Sequence, residues 1–96
     1  MNISISNDTW VFAIIKHPGG SEQLTGFQDE AGVKYIPVLK TRKAAEVFLS
    51  YMNREPGVRY EIQAIIFEDI LKYSRENQFC TCIVDEKGVV QEKVAL

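Results

Sequence analysis

Lys40, Thr41, Arg42 and Lys43 are the residues whose types best suit a ligand, three cations and a hydroxyl where an extended segment gives way to a helical period. Cations in a first helical turn oppose the helix macrodipole, so their presence there needs a cause. Free N–H groups at a helix start, a threonine hydroxyl and positive charge beside the carboxyl end of a strand can together hold a phosphate or a carboxylate. The plainer reading is a solvated basic turn neutralised by Glu46, Glu30 or Asp29. His17 is the sole histidine and precedes Pro18-Gly19-Gly20. Two glycines free to take positive φ make His17, Gly19 and Gly20 a candidate lid over a cleft, or simply a loose connection. Cys80 and Cys82 stand two apart in a strand-like run, so their side chains share a face and could clamp a soft metal or oxidise together. Strand neighbours two apart run parallel rather than converging, and His17 is the one other soft ligand, so packing is the simpler role. The adjacent carboxylates Glu68-Asp69 and Asp85-Glu86 point apart and form no acid/base couple. No catalytic residue, metal site or cofactor is expected from these patterns.

Composition narrows the classes further. A chain of 96 residues holds enough apolar side chains for one core, so residues 1–96 read as a single domain. Apolar residues at 46% and charged residues at 25% are ordinary for a globular chain and argue against disorder. A net charge of −2 supplies no general attraction for nucleic acid or anionic membranes. The longest uncharged apolar run, Trp10 to Ile15, is far below the roughly 20 residues a spanning helix needs. Residues 1–8 lack the positive start and long apolar stretch of a secretory signal. The expectation is a cytoplasmic protein with neither a nucleic-acid nor a membrane partner.

The periodicity supplies the elements that must position the candidates. Residues 9–16 are continuously apolar from Trp10 to Ile15, the pattern of a strand covered on both faces. Residues 22–39 read as a hairpin turning at Asp29-Glu30-Ala31-Gly32, with Pro37 placing its second arm near an edge. Ala44, Val47, Phe48 and Tyr51, with Met52 beside them, recur at helical spacing from an N-cap at Thr41, predicting a helix over about 41–54 that stops before Pro56-Gly57. Residues 60–67 read as a second central strand. A short helix over about 68–77 follows, with Phe67, Ile70, Leu71 and Ser74 on one face. A closing hairpin turns at Asp85-Glu86-Lys87-Gly88. Strands alternating with helices imply some parallel pairing. The fold class expected is α+β or α/β: a mixed sheet of about five to six strands, hairpins at both ends, and both helices on one face in a two-layer sandwich.

The run Tyr35-Ile36-Pro37-Val38-Leu39-Lys40-Thr41, continuing through Arg42-Lys43-Ala44-Ala45-Glu46-Val47-Phe48, resembles a segment of SseB-like N-terminal domains, where a Y-[IL]-P-V-F-[TS] strand leads straight into an amphipathic helix. The resemblance extends over about residues 26–79 through the turn at Gly32 and the helix after Glu68. It implies a small α/β domain of bacterial type without settled chemistry, and it assigns no catalytic residue. Together these readings favour a noncatalytic interaction module that binds an unknown protein partner or a second copy through a sheet edge. The alternative is a small anion- or nucleotide-binding sensor or enzyme with its pocket at Lys40–Lys43.

Overall fold

Strand β1 (Trp10–Lys16) is apolar on both faces, and the structure covers each face with its own helix. The computed structural model describes residues 5–94; residues 1–4, part of the stretch read for a signal, lie outside the described residues. After β1 come β2 (Gln23–Leu24), β3 (Phe27–Gln28), β4 (Lys34–Val38), α1 (Arg42–Tyr51), β5 (Tyr60–Ile66), α2 (Phe67–Glu76), β6 (Cys80–Val84) and β7 (Val90–Val94). Two helices and a mixed sheet system make an α+β protein, as the periodicity implied. The helices are shorter than the expected 41–54 and close to the expected 68–77.

The strands form two ladders, ordered β2-β1-β5 and β3-β4-β6-β7, in which β4 and β6 run parallel and all other pairs are antiparallel. The ladders are joined where Phe12 and Leu39 exchange N–H and C=O at 2.9 Å in both directions. The arm expected to pair continuously over 22–28 therefore changes partner midway. Gln23–Leu24 pairs with β1, the Thr25 N–H donates to the Ile14 carbonyl at 2.8 Å, and Phe27–Gln28 pairs with β4. Gly26 sits at the bend, where a Cβ would come within 2.5 Å of the Phe79 ring.

Pro37 occupies the gap this bend leaves. The register Phe27↔Tyr35 and the bridge Phe12↔Leu39 place residue 37 between the two pairings on that side of β4, so its missing N–H breaks no ladder bond. β4 is consequently an interior strand, buried from Ile36 to Val38, and not the near-edge arm that Pro37 suggested.

Val11, Ala13 and Ile15 of β1 pack with Ile36, Val38 and Ile83 beneath Phe67 and Ile70 of α2. The intervening Phe12 and Ile14 face the other way, packing with Leu39, Cys82 and Val84 beneath Ala45 and Phe48 of α1. Because alternate strand residues point to opposite faces, the two helices lie on opposite sides. The single-face, two-layer placement is thereby corrected: the apolar residues of β1 fill both faces, and one helix cannot cover two. α1 is also rotated from its expected stripe, with Ala45 and Phe48 buried and Tyr51 69% exposed.

Local chemistry explains the ends of the elements. The Asp29–Gly32 and Asp85–Gly88 turns are built alike: the aspartate Oδ1 accepts the N–H groups two and four residues on, at 2.8–2.9 Å, and the glycine takes φ of 85°. α2 starts without a side-chain cap, and the Phe67 and Glu68 N–H groups instead donate to Thr9 and Asn7 carbonyls at 2.9 Å. At its other end the Phe79 N–H bonds Ser74 at 2.8 Å and the Gln78 N–H bonds Arg75 at 3.4 Å, a Schellman closure with Gln78 at φ 62° where glycine is usual. A left-handed backbone strains a side-chain-bearing residue by roughly 1–2 kcal/mol. Gln78→Gly is therefore expected to raise unfolding stability by about 1 kcal/mol in urea melts, after allowing for glycine's greater unfolded-state entropy.

Candidate functional site

The four residues of the basic turn are brought to one end of the sheet but are engaged separately. Thr41 Oγ1 accepts the Ala44 N–H at 3.1 Å, so the hydroxyl serves as the N-cap of α1. The Arg42 guanidinium lies over the Phe12 ring, 5.4 Å from its centroid, and this contact is the cause that a cation in the first turn required. Lys43 is exposed. Lys40 lines a cavity of about 290 Å³ at the carboxyl ends of the parallel pair β4 and β6. Ala44, Asp85, Glu86 and Gln91 line the same cavity, so two acidic residues stand beside Lys40 where an anion would have to bind. Asp29, considered as a neutralising neighbour, is instead occupied with the N–H groups of Ala31 and Val33.

The glycine loop is closed on itself. His17 is exposed at φ 60°, and its N–H donates to the Arg59 carbonyl at 3.0 Å. The Gly20 N–H returns to the His17 carbonyl at 3.1 Å, and the Gly19 N–H donates to the Glu22 carboxylate at 3.0 Å. These bonds make residues 17–22 the turn that joins β1 to β2.

Cys80 and Cys82 are free thiols on β6, which lies between β4 and β7 as a central strand. Among the described residues no group of three His, Cys, Asp or Glu side chains could hold a metal ion. Burial pushes the Cys82 thiol above its ordinary range; Lys93 opposes this, and Cys80 and Asp29 add to it. Burial likewise raises the Tyr35 phenol, with Cys82 and Asp29 contributing. Tyr35 and Cys82 share the α1 face with an aromatic cluster in which Phe27 meets Phe48 edge-on at 5.8 Å and Tyr35 at 6.1 Å.

The feature that the sequence concealed is the outer edge of β5. The continuous apolar run Ala64 to Phe67 suggested a buried central strand, whereas β5 pairs with β1 alone and ends its ladder. Its residues are only half-buried, with Glu61 and Gln63 exposed. Which backbone groups face outward follows from the register. Phe12 and Ile14 use their main-chain groups toward Leu39 and Thr25, so Val11, Ala13 and Ile15 face β5. The bonds from His17 to Arg59 and from Phe67 to Thr9 continue the same parity at both ends. Glu61, Gln63 and Ile65 are thus the residues bonded to β1, and the main-chain groups of Ile62 and Ala64 point away from it. No strand lies on that side among the described residues.

Edges of this kind are usually blunted by charge, proline, bulges or brevity. The opposite edge, β7, has a register irregularity at Ile83/Val84 and carries Glu92 and Lys93. β5 runs for 7 residues in regular register with neither proline nor glycine, and Glu61 is its one charge. Trp10, 61% exposed, stands opposite Ile66 and extends the apolar row Tyr60, Ile62, Ala64 and Ile66. Seven residues without a breaker read as a central strand, so residue type alone carried no signal of this edge.

Comparison with protein-family models, curated proteins and solved structures finds no match to this chain. No helix among the described residues is long and apolar enough to cross a membrane.

The raised Cys82 thiol has a defined consequence. A group held neutral by the fold stabilises it fully below its unfolded pKa, and that contribution is lost as pH rises through the folded value. Stability in urea melts is expected to fall between neutrality and about pH 10, where an unfolded thiol already ionises. Cys82→Ala should start less stable because of the cavity it leaves and should show a shallower alkaline decline.

Proposed function

We propose that this protein is a noncatalytic interaction module that binds an extended protein segment by strand addition along the outer edge of β5. The observation that carries the reading is the unprotected ladder edge at Ile62 and Ala64, whose N–H and C=O groups are aligned for another strand. In this mode main-chain hydrogen bonds supply affinity and the flanking side chains supply selectivity. The half-buried Ile62, Ala64 and Ile66, with exposed Trp10 beside them, provide an apolar flank on one face; Glu61 and Gln63 provide a polar one on the other. The SseB-like character of residues 35–48 belongs to the same proposal. So does a cytoplasmic location, which the free thiols of Cys80 and Cys82 support.

An anion or nucleotide sensor at Lys40–Lys43 has weaker support. Thr41 is occupied as a cap, Arg42 lies on Phe12, and Asp85 and Glu86 share the cavity with Lys40.

The test uses a peptide spanning residues 59–67 and a Thr/Val-rich strand peptide of unrelated sequence, each titrated into the protein while its amide resonances are followed. Strand addition is expected to shift the Ile62 and Ala64 amides first. Silence with both peptides at millimolar concentration would end the reading.

A further inference from the structure

We infer that the segment received by β5 is the β5 strand of a second copy of this chain, paired antiparallel about a two-fold axis through Gln63. The inference rests on the strand-addition reading and names its partner. Three features of the edge support self-pairing in this register.

The first is parity. A two-fold centred on residue 63 sets Ile62 opposite Ala64 of the other copy and Tyr60 opposite Ile66. Ile62 and Ala64 are the residues whose main-chain groups point outward, so each Ile62 can exchange both its N–H and its C=O with the other copy's Ala64. Gln63 then meets its counterpart as a non-hydrogen-bonded pair, where side chains approach most closely.

The second is charge. Glu61, the strand's one charge, falls opposite Ile65 of the other copy, whereas a two-fold at residue 61 would set two carboxylates face to face. Like charges directly opposed destabilise a strand pair. The axis at 63 also lays all 7 residues of one strand along all 7 of the other.

The third is shape. On the apolar face the small Ala64 meets the branched Ile62, and Tyr60 meets Ile66. The row Trp10, Ile66, Tyr60 then runs continuously from one copy into the next, setting Ile66 between the exposed tryptophan of its own chain and the tyrosine of the other. Aromatic residues exposed beside an edge are typical anchors of protein interfaces.

The experiment uses the full chain. Light scattering is expected to rise from monomer mass when dilute to twice that mass at millimolar concentration. Gln63→Cys, at an exposed position that leaves the fold intact, is expected to form an intermolecular disulfide under mild oxidation, located at residue 63 by peptide mapping. Glu61→Cys should cross-link far more slowly, because it faces Ile65 of the other copy rather than itself. Ala64→Pro removes an outward N–H and should abolish the dimer; circular dichroism establishes that the variant is folded. If Ala64→Pro does not fold, Gln63→Cys decides. Monomer mass at every concentration would overturn the inference, as would a dimer in which Gln63→Cys fails to cross-link. Either result combined with peptide-induced shifts at Ile62 and Ala64 would leave strand addition standing and remove only the second copy as its partner.

Discussion

Strand β1 has two apolar faces and two edges, and the arrangement of the molecule is the solution to covering all four. α2 covers Val11, Ala13 and Ile15; α1 covers Phe12 and Ile14. One edge is taken by β5, and the other is divided between β2, Thr25 and Leu39. Burying a mid-sized aliphatic side chain stabilises by about 1.5–3 kcal/mol, so leaving either face bare would forfeit several such contributions. Of the two strands recruited to the edges of β1, β2 is only 2 residues long, whereas β5 presents a 7-residue edge. Its inner edge is satisfied by β1 and its faces are partly shielded, but its outer main chain meets no strand among the described residues.

Much of this was legible from residue order. The two helices, the Asp-initiated turns ending in Gly32 and Gly88, and the Thr41 cap all follow from local chemistry, and the structure agrees with each. The interior and edge strands were exchanged, for two physical reasons. Pro37 removes a donor, which normally marks an edge, but here its bare nitrogen faces a gap where the neighbouring chain bends from one strand to the other. The apolar run through Ile65, Ile66 and Phe67 normally marks a buried strand, but here it leads directly into α2, whose first residue Phe67 is the one that reaches the core. Apolar periodicity also could not say which side of the sheet each helix takes, because that depends on pairings between distant strands.

The basic turn shows how a departure from a local rule can be real without marking a ligand site. Arg42 and Lys43 do oppose the dipole of α1; for Arg42 the departure has a cause in the ring of Phe12 on a strand thirty residues earlier, while Lys43 stands exposed. Thr41 and Arg42 are thus engaged within the chain, and the groups left without a partner in the fold include the main-chain hydrogen-bonding groups on β5. Such groups carry no signature in residue type, which is why a search for reactive side chains passes over them.

Amide hydrogen exchange, measured residue by residue along β5 as protein concentration is raised, tests the central claim most directly. The account predicts that Glu61, Gln63 and Ile65 are protected at every concentration by β1, while Ile62 and Ala64 exchange freely when dilute and become protected as copies pair. Exchange at Ile62 and Ala64 that is already slow in the dilute protein, or that stays fast up to millimolar concentration, would contradict it.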